Sequence, residues 1–302
     1  MLKVLSWNIK GAWPGTPRKQ VEDQISFIDC YDDPPDILMF QEASIFRDEI
    51  RESLRDIGYV HIEDTLDWAT ELRNSSVQPH QDIGHTNGNI TAVRKDASLT
   101  KKPLGILDDE FEDADVKHFD THYPEKILVT EYERDGVNIE LWNVRAVPGS
   151  MKGEEKIKIL ETVYHRILDS EQKPRILAGD FNTPGDELAD GQPVTYLDDK
   201  DPRIRDRWRS AEVNILKGLG HAGMVDVFRY CHGFGELDVL DVSHATRTDD
   251  PLTVPEAEVE GVRFDHIFAS IDLSPQDCFY DVKGFAHSDH APIIAEFNVG
   301  NR

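Results

Sequence analysis

Six short stretches each bring polar side chains to the end of an apolar run: Ser6-Trp7-Asn8, Gln41-Glu42, Trp142-Asn143-Val144-Arg145, Gly179-Asp180-Phe181-Asn182, Phe264-Asp265-His266 and Ser288-Asp289-His290. Gathered in one place they would supply carboxylates, amides and one or two imidazoles. Such donors suit a hard cation and an activated water. Taken singly, each stretch also has a structural reading. Glu42 would serve as an ion-pair partner or a cap for the helix that follows, Asn8 as a turn residue, and Asp180 with Asn182 as an Asx turn. His290 needs a separate carboxylate to set its tautomer, because Asp289 beside it points elsewhere. Asp265, at another strand end, is the candidate.

The runs ahead of these groups read as strands: 2–5, 37–40, 139–141, 175–178 and 262–264. A strand that ends in a polar residue carries it to the rim of a sheet. Gly179 lets the chain turn at such an end and Pro184 prevents a return to regular structure, so Asp180 and Asn182 face the same side. Further strands are expected at 89–93, 127–133, 137–142, 279–285 and 293–297, with Arg134-Asp135-Gly136 as a hairpin turn. The apolar spacing predicts helices over 20–30, 45–57, 154–168 and 211–219. Segments 66–88 and 184–201 read as loops, and the acidic run 108–115 as a solvated one. Hairpins mixed with helical crossovers imply an α/β fold with mixed sheets, in one domain spanning 1–302.

The 302 residues carry a formal charge of −25. No broad basic face is left to neutralise a long stretch of DNA backbone. A solvated acidic surface would explain the excess of acid, and adaptation to high salt is one of the causes of such a surface. One basic cluster, 202–210, has alternating arginines around Trp208. It offers a grip for a base and phosphates, or it pairs internally with Asp201 and Asp206 on a surface loop. Three cysteines with no C-x-x-C pair speak against a disulfide framework or a zinc site. No signal peptide or membrane-length apolar run is seen, so a cytoplasmic location is expected.

In this order and spacing the motifs resemble the endonuclease/exonuclease/phosphatase, or DNase I-like, superfamily over nearly the whole chain. The most specific matches are Gln41-Glu42, Gly179-Asp180-Phe181-Asn182 and Ser288-Asp289-His290. Ala222-Gly223-Met224-Val225-Asp226 and Phe264-Asp265-His266-Ile267-Phe268 add support. The resemblance implies a four-layer α/β sandwich, two packed mixed sheets flanked by helices. It also implies hydrolysis of a phosphoester, with nucleic acid and nucleotides among the substrate classes, assisted by Mg²⁺ or Mn²⁺. Carried over by position, Glu42 is the main metal ligand, with Asn8 and Asp289 completing the set. Asp180 orients or deprotonates the attacking water, and Asn182 holds a phosphate oxygen. His290 contacts the phosphate or acts as acid/base, oriented by Asp265. His244, Thr246 and Arg247 fall where the family often carries a substrate-side polar motif.

Two positions depart from that pattern. Lys10 stands where the nuclease branch often has a second carboxylate, and Arg145 where many members have a histidine thought to assist the leaving group. Arginine does not release its proton at neutral pH, but it can clamp a phosphate through two parallel hydrogen bonds. His85, His118 and His122 are candidates to replace the missing imidazole. Arg145 also motivates an alternative: a phosphate- or nucleic-acid-binding protein on the same scaffold, weakly active or inactive.

Overall fold

A computed structural model describes residues 1–11, 18–43, 46–65, 87–102, 121–195, 202–235, 241–245 and 261–300. Along the chain the strands are β1 (Leu2–Asn8), β2 (Ile37–Ala43), β3 (Tyr59–Asp64), β4 (Gly88–Arg94), β5 (Thr100–Lys102), β6 (Ile127–Arg134), β7 (Val137–Arg145) and β8 (Arg175–Asp180). They continue with β9 (Asp186–Glu187), β10 (Pro193–Val194), β11 (Met224–Asp226), β12 (His244–Ala245), β13 (Gly261–Val262), β14 (Asp265–Ser270), β15 (Pro275–Tyr280) and β16 (Ile293–Phe297). The α-helices are α1 (Arg18–Asp29), α2 (Arg47–Asp56), α3 (Gly149–Asp169), α4 (Pro202–Leu216) and α5 (Val227–His232).

Two six-stranded sheets form, in the orders β15-β16-β1-β2-β4-β3 and β11-β14-β8-β7-β6-β5. Each has one parallel pair at its centre, β1 with β2 and β7 with β8, and antiparallel neighbours elsewhere. A parallel pair requires a crossover. The stretch between β1 and β2 contains α1, and that between β7 and β8 contains α3. Both central pairs therefore present the C-terminal ends of two adjacent strands.

Three apolar clusters account for four layers. Leu2, Val4, Ile37 and Met39 of one sheet meet Ile139, Leu141, Ile176 and Ile267 of the other. Trp7, Leu38 and Phe40, on the opposite face of the first sheet, pack against Val21, Ile25 and Ile28 of α1 and Ile50 and Leu54 of α2. Trp142, Val144 and Leu177 of the second sheet pack against Ile157, Leu160, Val163 and Ile167 of α3. Strand periodicity of two and helix spacing of three or four residues place these side chains on the faces that meet. Each fully buried Leu, Ile or Val contributes roughly 1.5–3 kcal/mol relative to exposure.

The elements depart from the sequence reading in several places. The strand expected over 262–264 is only the end of β13 (Gly261–Val262), and Asp265 begins β14 instead of closing a strand. Residues 59–64 form the edge strand β3, which has no clear alternation in the sequence. The basic cluster at 202–210 is the first half of α4, not a surface loop, and Pro202 occupies its first position, where no amide hydrogen is needed. The expected strand over 279–285 ends at Tyr280, because Asp281 caps a 3₁₀ turn over Val282–Ala286 through the amide of Lys283. The loop at 184–201 contains the small ribbon of β9 and β10. Segments 66–86 and 108–115 lie outside the described residues. Among the described residues no helix is long and apolar enough to cross a membrane, and Cys30, Cys231 and Cys278 are free thiols.

Candidate active site

Side-chain alternation builds the site. On β1, Leu2 and Val4 face the space between the sheets, so Ser6 and Asn8 follow on that face. On β7, Ile139 and Leu141 are followed in the same way by Asn143 and Arg145; on β8, Ile176 and Ala178 are followed by Asp180. Asp265 shares a face with Ile267 and Ala269 on β14. At one rim the inter-sheet core thus changes from apolar to polar. Glu42 breaks the rule, since alternation from Ile37 and Met39 would send it to the helical layer. A left-handed φ of +62° and a register shift between Phe40 and Ala43 turn it to the rim instead.

A polar belt lies under the rim. The Gln41 amide nitrogen donates to Ser6 Oγ (3.0 Å) and to Asn143 Oδ1 (2.9 Å), and Asn143 Nδ2 donates to the carbonyl of Ile90 (2.9 Å). These buried amides tie the two sheets together. Gln41, next to Glu42, and Asn143, two residues before Arg145, thus serve the packing of the sheets.

Above the belt, Asn8 Nδ2 donates to Asp180 Oδ2 at 2.9 Å and to Glu42 Oε1 at 3.2 Å. Arg145 Nη2 forms an ion pair with Glu42 Oε1, and its Nε lies 3.9 Å from Asp180 Oδ2. Burial alone would raise the Glu42 pKa, but Arg145, His290 and the Asn8 amide hold it below the usual carboxylate range. Asp180 is fixed further by Asn182, whose backbone amide donates to Oδ1 (2.9 Å) and whose Nδ2 donates to Oδ2 (3.0 Å). Asn182 Nδ2 also donates to the carbonyl of Ala146 at 2.8 Å. Both of its amide hydrogens are thereby committed, so this arrangement makes Asn182 a clamp on Asp180 rather than a free donor for phosphate.

His290 Nδ1 lies 2.7 Å from Asp265 Oδ2. Burial would lower the imidazole pKa, but Asp265, aided by Asp180 and Asp289, raises it to about 9. At neutral pH the ring is then a cation. His290 is held in place by contacts the motifs did not announce. Trp7 Nε1 donates to its carbonyl (2.8 Å), and Ser288 Oγ donates to the carbonyl of Asn8 (2.7 Å), joining the two ends of the chain. Ser243 Oγ accepts from the amides of Phe264 and Asp265.

The remaining expected residues divide. His244 joins the site: it bridges to His290 through the backbone, and the two rings meet edge to face at 4.7 Å. Burial and the neighbouring His290 lower the His244 pKa to about 4, so this ring stays neutral. Lys10 pairs with Asp289 at 2.6 Å, a cation where a second carboxylate was the pattern. Trp208 does not join the site. It is 3% exposed and sits in the apolar layer between α3 and α4, so it presents no face to a base. His122 pairs with Glu155 (2.8 Å) and is more than half exposed. Arg247, Thr246, His85 and His118 lie outside the described residues. Sequence reasoning passed over Lys126, the last residue of a 3₁₀ turn (Pro124–Lys126) just before β6, which Arg145 and Glu42 influence electrostatically. Burial lowers its ammonium pKa to about 7, with Glu125 opposing and Arg145 adding to the fall.

The donors fit a hard divalent cation. Two buried carboxylate oxygens, Glu42 Oε2 and Asp265 Oδ1, have no hydrogen-bond partner among the described residues. An orphaned carboxylate oxygen is costly unless a cation or water meets it. Asn8 Oδ1 accepts from the Lys10 amide (3.0 Å) and keeps a second lone pair. Asp180, Asp265 and His290 also bring one ligand atom each within 4.8 Å of one another. Carboxylate and amide oxygens are the ligands Mg²⁺ and Mn²⁺ prefer.

Two packed mixed sheets between helical layers, with polar strand ends at one rim, define the DNase I-like class of fold. The model of the Endonuclease/Exonuclease/phosphatase family matches residues 5–290, and the chain belongs to that family. Hydrolysis of a phosphoester is therefore the activity the site has to explain. Among solved structures, the chain is similar to a humanized D. rerio TDP2 carrying 14 mutations, with 18% identity, 99% of each chain covered and a TM-score of 0.63. It is also similar to an AP endonuclease from Archaeoglobus fulgidus, with 21% identity, 99% of this chain and 100% of that one covered, and a TM-score of 0.62. A third is D. rerio TDP2 complexed with a single-strand DNA product, with 18% identity, 99% of each chain covered and a TM-score of 0.59. No curated protein sequence matches the chain significantly.

Proposed function

We propose that this protein is a divalent-metal-dependent phosphoester hydrolase that acts on phosphodiesters, with a locally gripped nucleic-acid strand as the favoured substrate class. The supporting observation is the meeting of Asn8, Glu42, Asp180, Asp265 and His290, from separate strand ends and loops, in one hydrogen-bonded and electrostatically coupled group. Glu42 and Asn8, with Asp289 at the edge, are the residues to hold Mg²⁺ or Mn²⁺. When bound, such an ion offsets the charge of the phosphoryl oxygens and of the departing oxygen.

The chain's own groups do the rest. Asp180, fixed by Asn8 and Asn182, orients the attacking water and receives its proton. His290, charged and aimed by Asp265, donates a hydrogen bond to a non-bridging oxygen. Arg145 adds a second cation beside the phosphate. The DNA-bound relative favours a nucleic acid, and the −25 charge favours a short contact with it or a concentrated salt medium.

A second reading, a phosphate-binding protein without turnover, draws on the contact of Arg145 with Glu42. The two separate in one panel: bis-p-nitrophenyl phosphate, phosphomonoesters and single-stranded DNA, each with Mg²⁺, Mn²⁺ or chelator at several salt concentrations. The hydrolase gives product that requires metal. Turnover that persists under chelation contradicts it. No turnover on any ester, with phosphate binding that survives His290→Ala, establishes the binder.

A further inference from the structure

A second polar chain reaches the rim from the helical layer. Lys156 on α3 and Glu212 on α4 form an ion pair in which each side chain is 1% exposed. Glu212 Oε1 also accepts from Trp208 Nε1 at 2.7 Å. The indole occupies space that α3 leaves open at two glycines. A Cβ on Gly149 would stand 2.1 Å from the Trp208 ring, and one on Gly153 would stand 2.4 Å from it. Gly149 opens α3 and Gly153 follows a kink at Lys152, so the start of α3 leaves the room in which Trp208 reaches Glu212.

Stability alone is a poor reason for this arrangement. Removing two charges from water costs several kcal/mol per ion, and apolar replacements of buried pairs are often neutral or stabilising. A third contact gives the pair a purpose: Lys156 Nζ donates to the carbonyl of Asn182 at 2.7 Å. Asn182 has a left-handed φ of +50°, a conformation that asparagine adopts more readily than other non-glycine residues because its short polar side chain bonds locally. Its amide groups are the ones that hold both oxygens of Asp180.

We infer that Lys156 is a positioning residue: its buried ammonium pins the Asn182 carbonyl, and so fixes the two donors that aim Asp180, with Glu212 as counter-ion and Trp208 as brace. The inference rests on the reading that Asp180 directs the attacking water. The contacts run from α4 through α3 to the turn after β8, so a change at Glu212 reaches the reacting centre without touching substrate. Loss of the Lys156 contact frees the turn, and a displacement of about 1 Å at a water-aligning group is enough to lower a rate about 100-fold.

Two variants test it. The double variant Lys156→Met with Glu212→Gln removes the donor without stranding a buried charge, and Lys156→Arg keeps a cationic donor. Steady-state kinetics with bis-p-nitrophenyl phosphate and Mn²⁺ are read beside hydrogen exchange at the amides of Phe181, Asn182 and Thr183. The expectation for the double variant is a kcat about 30–100-fold lower, KM within about threefold, and exchange at least about tenfold faster at those amides. Lys156→Arg is expected to recover most of the lost kcat. Wild-type kcat and wild-type exchange in a folded double variant overturn the inference. So does an equal kcat loss in both variants, or failure of both to fold, which assigns Lys156 to stability. Exchange is read without turnover, so an inactive wild type refutes the hydrolase reading while the effect on the turn is still decided.

Discussion

His290 Nδ1 stands 2.7 Å from Asp265 Oδ2, at the start of β14 and just before β16. The contact commits Nδ1 and leaves Nε2 as the ring atom available to a substrate oxygen. His290→Gln should therefore lower kcat by about 10²–10⁴-fold. Asp265→Asn, which leaves the ring in place but removes its anionic partner, should cost about 10–100-fold. Single-turnover kinetics with bis-p-nitrophenyl phosphate check both. An Asp265→Asn rate equal to wild type would separate Asp265 from the chemistry.

If Glu42 holds a divalent cation, Arg145 competes with that ion for it. The guanidinium already pairs with Glu42 Oε1, and a second positive charge a few ångströms away pays Coulomb repulsion of several kcal/mol before screening. Arg145→His should bind Mn²⁺ at least about tenfold more tightly in calorimetry, about 1.4 kcal/mol. Weaker or unchanged Mn²⁺ affinity would show that Arg145 helps the cation or ignores it.

Gly179 is constrained by space as well as by backbone angle. Its φ is +147°, and a Cβ there would lie 1.8 Å from the carbonyl oxygen of Val144 on the neighbouring strand. Gly179→Ala should destabilise the fold by about 3 kcal/mol or more. Thermal unfolding reads this as a drop of about 6 °C or more in Tm. A Tm within about 2 °C of wild type, the shift that about 1 kcal/mol produces in a chain of this size, would contradict the close approach.

Glu140 links stability to pH. It is fully buried and accepts from Trp142 Nε1 and Arg175 Nε, both at 2.7 Å, while Lys173 Nζ lies 2.6 Å away. Burial alone would raise its pKa, and Lys173, Trp142 and Arg175 together bring it below the usual 4.5. The folded state thus binds its proton more weakly than the unfolded chain. The resulting stabilisation is complete above the unfolded value and is lost as pH falls through the folded one. Between pH 6 and pH 3 the Tm of the wild type should fall more steeply than that of Glu140→Gln. At pH 7 the variant should be less stable by about 3–5 kcal/mol, since Arg175 keeps its buried charge without a carboxylate. Parallel pH curves would remove Glu140 from the linkage.

Much of this architecture is legible in the sequence because strand ends and polar residues coincide. Asn8, Arg145 and Asp180 close apolar runs, and alternation carries each to the rim; Glu42 also closes one, but its left-handed φ and a local register shift are what turn it there. Position alone does not separate a reacting group from a structural one. Asn143 follows a tryptophan just as Asn8 does, and Gln41 stands beside Glu42, yet Gln41 and Asn143 bind the sheets together. Trp208 looks like a base-stacking residue beside arginines, and its burial depends on two glycines some fifty positions away in the chain. Lys156 reads as one more charge on an amphipathic helix. Its contact with Asn182 depends on how α3 crosses the second sheet, which no local pattern encodes.

The most direct measurement is the anomalous scattering of Mn²⁺ soaked into crystals of the wild type and of Glu42→Gln. The account predicts one strong peak in the wild type at about 2.0–2.4 Å from a Glu42 carboxylate oxygen, consistent with oxygen ligation, and its loss in the variant. A peak away from Glu42, or one that persists unchanged in Glu42→Gln, would contradict it.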